Sequence, residues 1–317
     1  MGLFNPASFA KEAVTAIDEQ VQGRAIIAAS GGVDSMAAAV LASRALGERL
    51  LAVHVDTGYM RQDESTAVGR MLVDMKVNHH VVDASDRFYA VLEGVTDPEL
   101  KRTRIGELFI RVFEEEARGF DAKWLVQGTI APDWIESGGG LRDTIKSHHN
   151  VGGLPEDMEM ELCEPLRELY KDEVRALAEH LGVAVAQRQP FPGPGLAVRV
   201  MGEATRERIA LVRQACYIVE QELEAAAEAG EMELPWQYFA VLLPVRTVGV
   251  QGDVRAYGHT IAVRAVQSYD AMTAQASEMP WAVQQRISRR ITNELKEDIN
   301  RVVYDVTDKP PGTIEWE

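Results

Sequence analysis

Ser30-Gly31-Gly32-Val33-Asp34-Ser35 stands between two segments of opposite habit. Before it, residues 24–30 (Arg-Ala-Ile-Ile-Ala-Ala-Ser) make a short apolar run that reads as a buried strand. After it, Met36 to Leu46 is rich in Ala and Leu, lacks Gly and Pro, and reads as a helix. A small-residue turn from a buried strand into a helix start suits an anion. Backbone N–H groups converge there, and the helix dipole adds its positive end. Ser30 and Ser35 offer hydroxyl donors, and Asp34 can hold Mg²⁺, which neutralises phosphate charge. The competing reading is a plain glycine turn, and placement directly after a buried strand favours the phosphate reading. The stretch is not GxxxxGK(S/T), because no lysine closes it, and it is not GxGxxG.

The pattern continues outward. Apolar runs at 50–55, 78–83 and 124–128 read as strands, with helices at 62–75 and about 98–118 between them. Strands that are apolar throughout and alternate with helices predict an α/β fold, a parallel sheet with helices on both faces. Residues 137–155 interrupt this rhythm with five glycines and no helical period; a loop of that length in a compact domain is expected to be functional or disordered. A helix at 170–181 stops at Gly182. Pro190-Phe191-Pro192-Gly193-Pro194-Gly195 can be neither helix nor central strand, so a boundary is expected there, giving domains 1–189 and 190–317. The second part reads as a smaller α+β unit: a helix over about 204–229, strand-like runs at 237–243 and 259–266, a helix over 281–297 and a strand at 301–306.

Composition narrows the function. The length of 317 residues suits two domains. With 49 acidic and 33 basic residues, the net charge of -16 argues against a nucleic-acid binder. Cys163 and Cys216 are too few for a disulfide framework or a four-cysteine zinc site, they form no CxxC pair, and both read as core residues. No apolar run approaches a membrane span, and no cationic, then apolar leader opens the chain, so a cytoplasmic protein is expected. His148-His149 lacks a third ligand at metal spacing, and His79-His80 reads as structural.

The Ser30–Ser35 stretch resembles the pyrophosphate loop of N-type ATP pyrophosphatases, which cleave ATP between the α and β phosphates and activate a carbonyl oxygen as an adenylate. Further segments look like those of the GMP synthetase family: Val55 to Arg61 (VDTGYMR), Gln127 to Ser137 (QGTIAPDWIES), Ile145 to Pro155 (IKSHHNVGGLP), Glu164 to Arg175, Pro190 to Arg199 (PFPGPGLAVR), Val248 to Tyr257 (VGVQGDVRAY) and Asp308 to Glu317 (DKPPGTIEWE). They cover nearly the whole chain, in order.

The resemblance implies an adenine nucleotide alpha hydrolase-like sheet followed by a C-terminal dimerisation domain. It implies a ligase that aminates XMP to GMP, with ATP as co-substrate and Mg²⁺ as cofactor. Ser30, Gly31, Gly32, Val33, Asp34 and Ser35 would bind ATP. Asp34 and Lys146 would be catalytic, Lys146 as a lid lysine closing on the phosphates. Arg102, Asp253, Arg255, Lys309 and Glu315 would bind XMP; Arg104 stands where the family's stretch has isoleucine. Neither cysteine has the setting of a glutaminase nucleophile, so a separate glutamine amidotransferase subunit is expected to supply ammonia. A homodimer is implied by the family's C-terminal domain. Three rivals stay open: a tRNA-thiolation enzyme, disfavoured by charge and cysteines; another amidating ligase such as NAD synthetase, which lacks the 309–317 segment; and a non-catalytic adenine-nucleotide sensor.

Overall fold

The computed structural model describes residues 4–131, 160–183, 189–251, 253–269 and 271–317. The 137–155 loop, with Lys146, His148 and His149, lies outside them. The chain forms two compact units. The first comprises Met1–Gly58, Asp63–Asp86 and Gly106–Arg188; the second comprises Tyr59–Gln62, Arg87–Ile105 and Gln189–Glu317. The Pro/Gly-rich stretch falls at the last of these junctions. No shift in composition marks the inclusion of Tyr59–Gln62 and Arg87–Ile105 in the second unit.

Among the described residues, the first unit holds a five-stranded sheet in the order β3-β2-β1-β4-β5. Its strands are β1 (Ala25–Ala28), β2 (Leu50–Asp56), β3 (His79–Asp83), β4 (Trp124–Val126) and β5 (Glu161–Cys163). Every pairing is parallel. Helix α1 (Pro6–Gln20) starts where the Asn5 side chain accepts from Ala7 N at 3.0 Å and Ser8 N at 3.1 Å. Pro6 takes the first helical position, where a missing N–H costs nothing. Helix α2 (Val33–Leu46) is buried continuously from Met36 to Ala42, and its run of alanines lets the backbone lie close to its neighbours. Among the described residues up to 183, helices α3 (Glu64–Asp74), α4 (Ser85–Val91), α5 (Pro98–Gly119) and α6 (Lys171–Leu181) follow.

The central strands are buried as their apolar runs require, with Ala25, Ile26, Leu50 and Ala52 at 0% exposure. The edge strand differs. In β3, His80, Val81 and Asp83 are exposed, and His80 Nδ1 meets Glu116 Oε2 at 2.8 Å. Coverage on both faces therefore holds for the middle of the sheet and weakens at β3, which has a neighbour on one side only.

The second unit packs α7 (Arg206–Glu228) and α8 (Trp281–Glu294) with a sheet of β6 (Gln237–Gln251), β7 (Val254–Gln267), β8 (Gln275–Ala276) and β9 (Ile299–Asp305). Thr205 caps α7 by accepting from Arg208 N at 3.3 Å. The stripe Ile209, Val212, Cys216, Val219 and Leu223 is buried, as its 3–4 spacing predicts. Strands β6 and β7 form one long antiparallel hairpin, longer than the runs at 237–243 and 259–266 suggest. Pro244 stops the sequence pattern, but the strand passes it through a register shift between Leu242 and Arg246.

Candidate nucleotide and substrate sites

In an open parallel sheet, ligands bind beyond the C-terminal strand ends, where the strand order reverses. Here that point lies between β1 and β4. The Ser30–Ser35 loop leaves β1, and Gly128-Thr129 follows β4. Gly31 has φ +82°, a conformation glycine adopts without strain. Gly32 precedes the first turn of α2 and has no side chain to cap it, so the first N–H groups of the helix are not claimed by a cap. Ser30 Oγ and Ser35 Oγ lie 2.9 Å apart, and Ser35 Oγ donates to Gly32 O at 3.0 Å. A Cβ on Gly128 would sit 3.1 Å from Asp34 C and O and 3.2 Å from Ser35 N, so only glycine lets the β4 end approach the loop this closely.

Asp34 is divided in its contacts. Its Oδ2 accepts from Lys171 Nζ at 2.6 Å, while its Oδ1 is buried and, among the described residues, has no hydrogen-bond partner. Thr129 Oγ1 is likewise buried and unpartnered. Water, an ion or a ligand can complete the bonding of such atoms, and these two belong to the Ser30–Ser35 loop and to the Gly128-Thr129 turn that touches it. Lys171 has no role that its sequence context reveals, although it lies in one of the segments that carry the resemblance. It opens α6 beside the Tyr170–Glu173 cap, which aims its side chain at the loop.

Asp56 ends β2, and its carboxylate accepts from Gly58 N at 2.8 Å. It lines a cleft of about 520 Å³ with Ser65, Thr66, Arg70 and His79.

The residues expected to bind substrate fall in two places in the second unit. Asp253 and Arg255 are exposed at the β6–β7 turn, where Gln251 pairs with Val254. Lys309 and Glu315 lie on the 305–317 segment, and Arg102, from α5, reaches its end. Arg102 Nη2 donates to the main-chain oxygen of Glu317. Lys309 Nζ donates to Ala271 O at 2.8 Å. Glu315 is gripped by Arg199, whose Nη2 reaches Oε1 at 2.8 Å and whose Nε reaches Oε2 at 3.1 Å; Gln237 Nε2 adds a bond at 3.1 Å. Arg199 is fully buried against the Phe239 ring, 4.0 Å from its centroid. Burial disfavours its charge, the Glu315 carboxylate outweighs that, and the guanidinium pKa is raised. Arg199 closes the Pro190–Arg199 segment and Lys101 precedes Arg102, but neither is assigned a role from the sequence. Each reads there as an ordinary charge, and nothing in its spacing predicts burial.

Both cysteines are buried. Burial, then the Glu164 charge, pushes the Cys163 thiol up to about 11, and burial raises Cys216 as well. Neither is a thiolate at neutral pH. Among the described residues, no group of three or more His, Cys, Asp or Glu could hold a metal by itself, and no helix is long and apolar enough to cross a membrane.

Two family profiles match the chain: GMP synthase C terminal domain over residues 224–316, and Queuosine biosynthesis protein QueC over residues 24–97. A GMP synthase (glutamine-hydrolyzing) subunit from Thermoplasma acidophilum is 56% identical over 311 residues, 98% of this chain and 99% of that protein. The corresponding subunit from Thermococcus kodakarensis is 59% identical over 314 residues, again 98% and 99%. An NH3-dependent NAD synthetase structure from Campylobacter jejuni aligns with a TM-score of 0.45 and 17% identity, over 57% of this chain and 76% of that one.

Proposed function

The chain belongs to the family of GMP synthase (glutamine-hydrolyzing) subunits, and on that premise we propose the route by which it makes GMP. XMP and ATP react to adenylyl-XMP and pyrophosphate; ammonia then displaces AMP, leaving GMP. The observation that carries the nucleotide part is the buried, unpartnered Asp34 Oδ1 at a helix start flanked by two serine hydroxyls.

Oxygen O2 of XMP attacks the α-phosphorus of ATP, and the bond to the bridging oxygen of pyrophosphate breaks. The Ser30–Ser35 loop holds the departing pyrophosphate through its backbone N–H groups and hydroxyls. Lys171 lies within reach of Asp34 and adds positive charge beside the loop. The adenylated O2 is a good leaving group. Ammonia adds at C2, AMP departs with that oxygen, and a proton is lost from nitrogen. No side chain becomes covalently attached, so positioning and charge stabilisation supply the catalysis.

Asp34 fits a Mg²⁺ site of the kind that takes one carboxylate and fills its shell with phosphate oxygens and water. Bound there, the ion would neutralise phosphate charge. Lys146, outside the described residues, is the lid lysine of this scheme. Arg102, Asp253, Arg255, Lys309 and Glu315 are the XMP-binding set; Glu315 would contact the base with the lone pairs that Arg199 and Gln237 leave free. Residues 1–189 act as the ATP-pyrophosphatase domain, and 190–317 as the XMP-binding domain, which also makes a homodimer. The chain works in the cytoplasm with a separate glutamine amidotransferase subunit.

The nitrogen source tests this reading. With ATP and XMP, the purified chain makes GMP from ammonium salts and not from glutamine, because its two thiols are buried and protonated. Pyrophosphate release measured with each donor, with and without XMP, decides it. Glutamine-driven GMP from this chain alone, or release independent of XMP, sinks the proposal. A second expectation concerns the loop. Gly128→Val sets carbon atoms against Asp34 and Ser35, and raises the KM for ATP by roughly tenfold or more, as expected when a binding loop is displaced. An unchanged KM for ATP would place the nucleotide elsewhere.

A further inference from the structure

Among the described residues of the second unit, three cations are fully buried, Lys101, Arg199 and Arg264, each at 0% exposure. In a chain of charge -16, all three direct their charge at one short stretch, residues 305–317. Arg264 meets Asp305 Oδ2 at 3.3 Å, donates to Thr307 O, and reaches Thr313 O at 3.0 Å. Arg199 holds Glu315. Lys101 holds Glu317.

The Lys101 contact is the most complete of the three. An ammonium has three donors. Lys101 Nζ donates to Ala197 O at 3.1 Å, to Val200 O at 2.7 Å and to Glu317 Oε2. The other carboxylate oxygen, Glu317 Oε1, accepts from Gly202 N at 3.2 Å. Beyond β9 the stretch is otherwise held at separate points: Asp308 Oδ1 accepts from Ala276 N at 2.8 Å, Lys309 Nζ donates to Ala271 O, Gln237 bonds Glu315, and Arg102 donates to the Glu317 main-chain oxygen. Lys309 makes an isolated backbone bridge to Ala274, Trp316 Nε1 donates to Asp305 Oδ2 at 3.0 Å, and Ile314 is its one buried apolar side chain. Lys309 and Glu315, the proposed substrate contacts, lie within this stretch.

We propose that Lys101 is a positioning residue: by gripping the Glu317 side chain from a fully buried site, it fixes the 305–317 segment in the shape that binds the nucleotide substrate. This rests on the reading of that segment as the XMP-binding element. Lys101 commits its three donors to Ala197 O, Val200 O and Glu317, which leaves none for a substrate. Its loss leaves the chemistry intact and lets the segment sample shapes in which Lys309 and Glu315 are displaced. Affinity for XMP then falls by the fraction of time the competent shape is populated.

The test compares Lys101→Met and Glu317→Gln with the unaltered chain, using ammonium as nitrogen donor. The expected result is a KM for XMP raised by roughly 10–100-fold, with the KM for ATP and kcat within about threefold. Hydrogen–deuterium exchange of a peptide covering 305–317 speeds up in both variants without substrate, and saturating XMP restores the slow rate. A merely structural Lys101 would lower the melting temperature and the active fraction while leaving the KM for XMP unchanged, and that outcome overturns the proposal. Should Lys101→Met fail to fold, Glu317→Gln carries the same test, since it leaves the lysine its two carbonyl partners. The two readings fail separately. A wild-type chain without XMP-dependent pyrophosphate release overturns the function, whereas unchanged exchange at 305–317 in the variants overturns the latch.

Discussion

Asp34→Ala is expected to lower kcat by about 10²–10³-fold, the scale of losing a principal electrostatic contact to developing charge. The melting temperature should move by no more than a few degrees. The two effects separate because of where Asp34 sits. It lies in the first turn of α2, where alanine is the best helix former and an acidic residue contributes only about 0.3–1 kcal/mol through the dipole. Its ion pair with Lys171 is partly solvated, with side chains 29% and 48% exposed, so it adds about 1 kcal/mol at most. Its other oxygen has no hydrogen-bond partner among the described residues, so the substitution removes no internal bond there. Activity depends on that same oxygen because, in the proposed scheme, it would hold the Mg²⁺ that neutralises phosphate charge. Steady-state kinetics beside calorimetry measures both quantities, and near-normal turnover would reduce the loop to a structural turn.

Gly195→Ala is expected to act in the opposite sense, removing stability and sparing the chemistry of each folded molecule. Gly195 has φ +64°, and a Cβ there would lie 2.4 Å from Tyr59 O and 3.1 Å from Tyr59 C. The obstacle is backbone and cannot swing aside. Tyr59 is fully buried, and the same carbonyl oxygen accepts from Leu196 N at 2.7 Å. The left-handed conformation costs an alanine about 1–2 kcal/mol, and overpacking adds about 1–3 kcal/mol. The expected loss is therefore about 2–5 kcal/mol, a fall of many degrees in melting temperature for a unit of this size. Denaturant titration reads it directly. A loss below about 1 kcal/mol would mean that the Pro190–Gly195 turn and Tyr59 separate easily, against the close contact described here.

Local chemistry carries much of what the sequence reveals. The strand–loop–helix around Ser30–Ser35 is legible because small residues, two hydroxyls and one carboxylate cluster within six positions, and the required conformation is local. The sheet is legible because its buried strands are apolar without interruption. Helix α1 escapes the apolar-run pattern, yet Asn5-Pro6 is a start signal that the structure uses. Short β5 escapes it because three residues carry no period, and it is ordered through its pairing with β4. At Pro244, tertiary pairing overrides a local stop, since a register shift absorbs a residue that cannot donate.

By itself the sequence determined the parallel α/β unit, the anion-binding loop, the absence of a reactive thiol pair and the family resemblance, because each depends on residues near one another in the chain or on residue type alone. Only the tertiary structure decided which charges are buried and with whom they pair. Lys171 reaches Asp34 across 137 positions, Lys101 reaches Glu317 across 216, and Arg199 reaches Glu315 across 116. A lysine carries the same symbol whether water or a carboxylate surrounds it. Its energetics come from desolvation and a partner's charge, and both are set by folding.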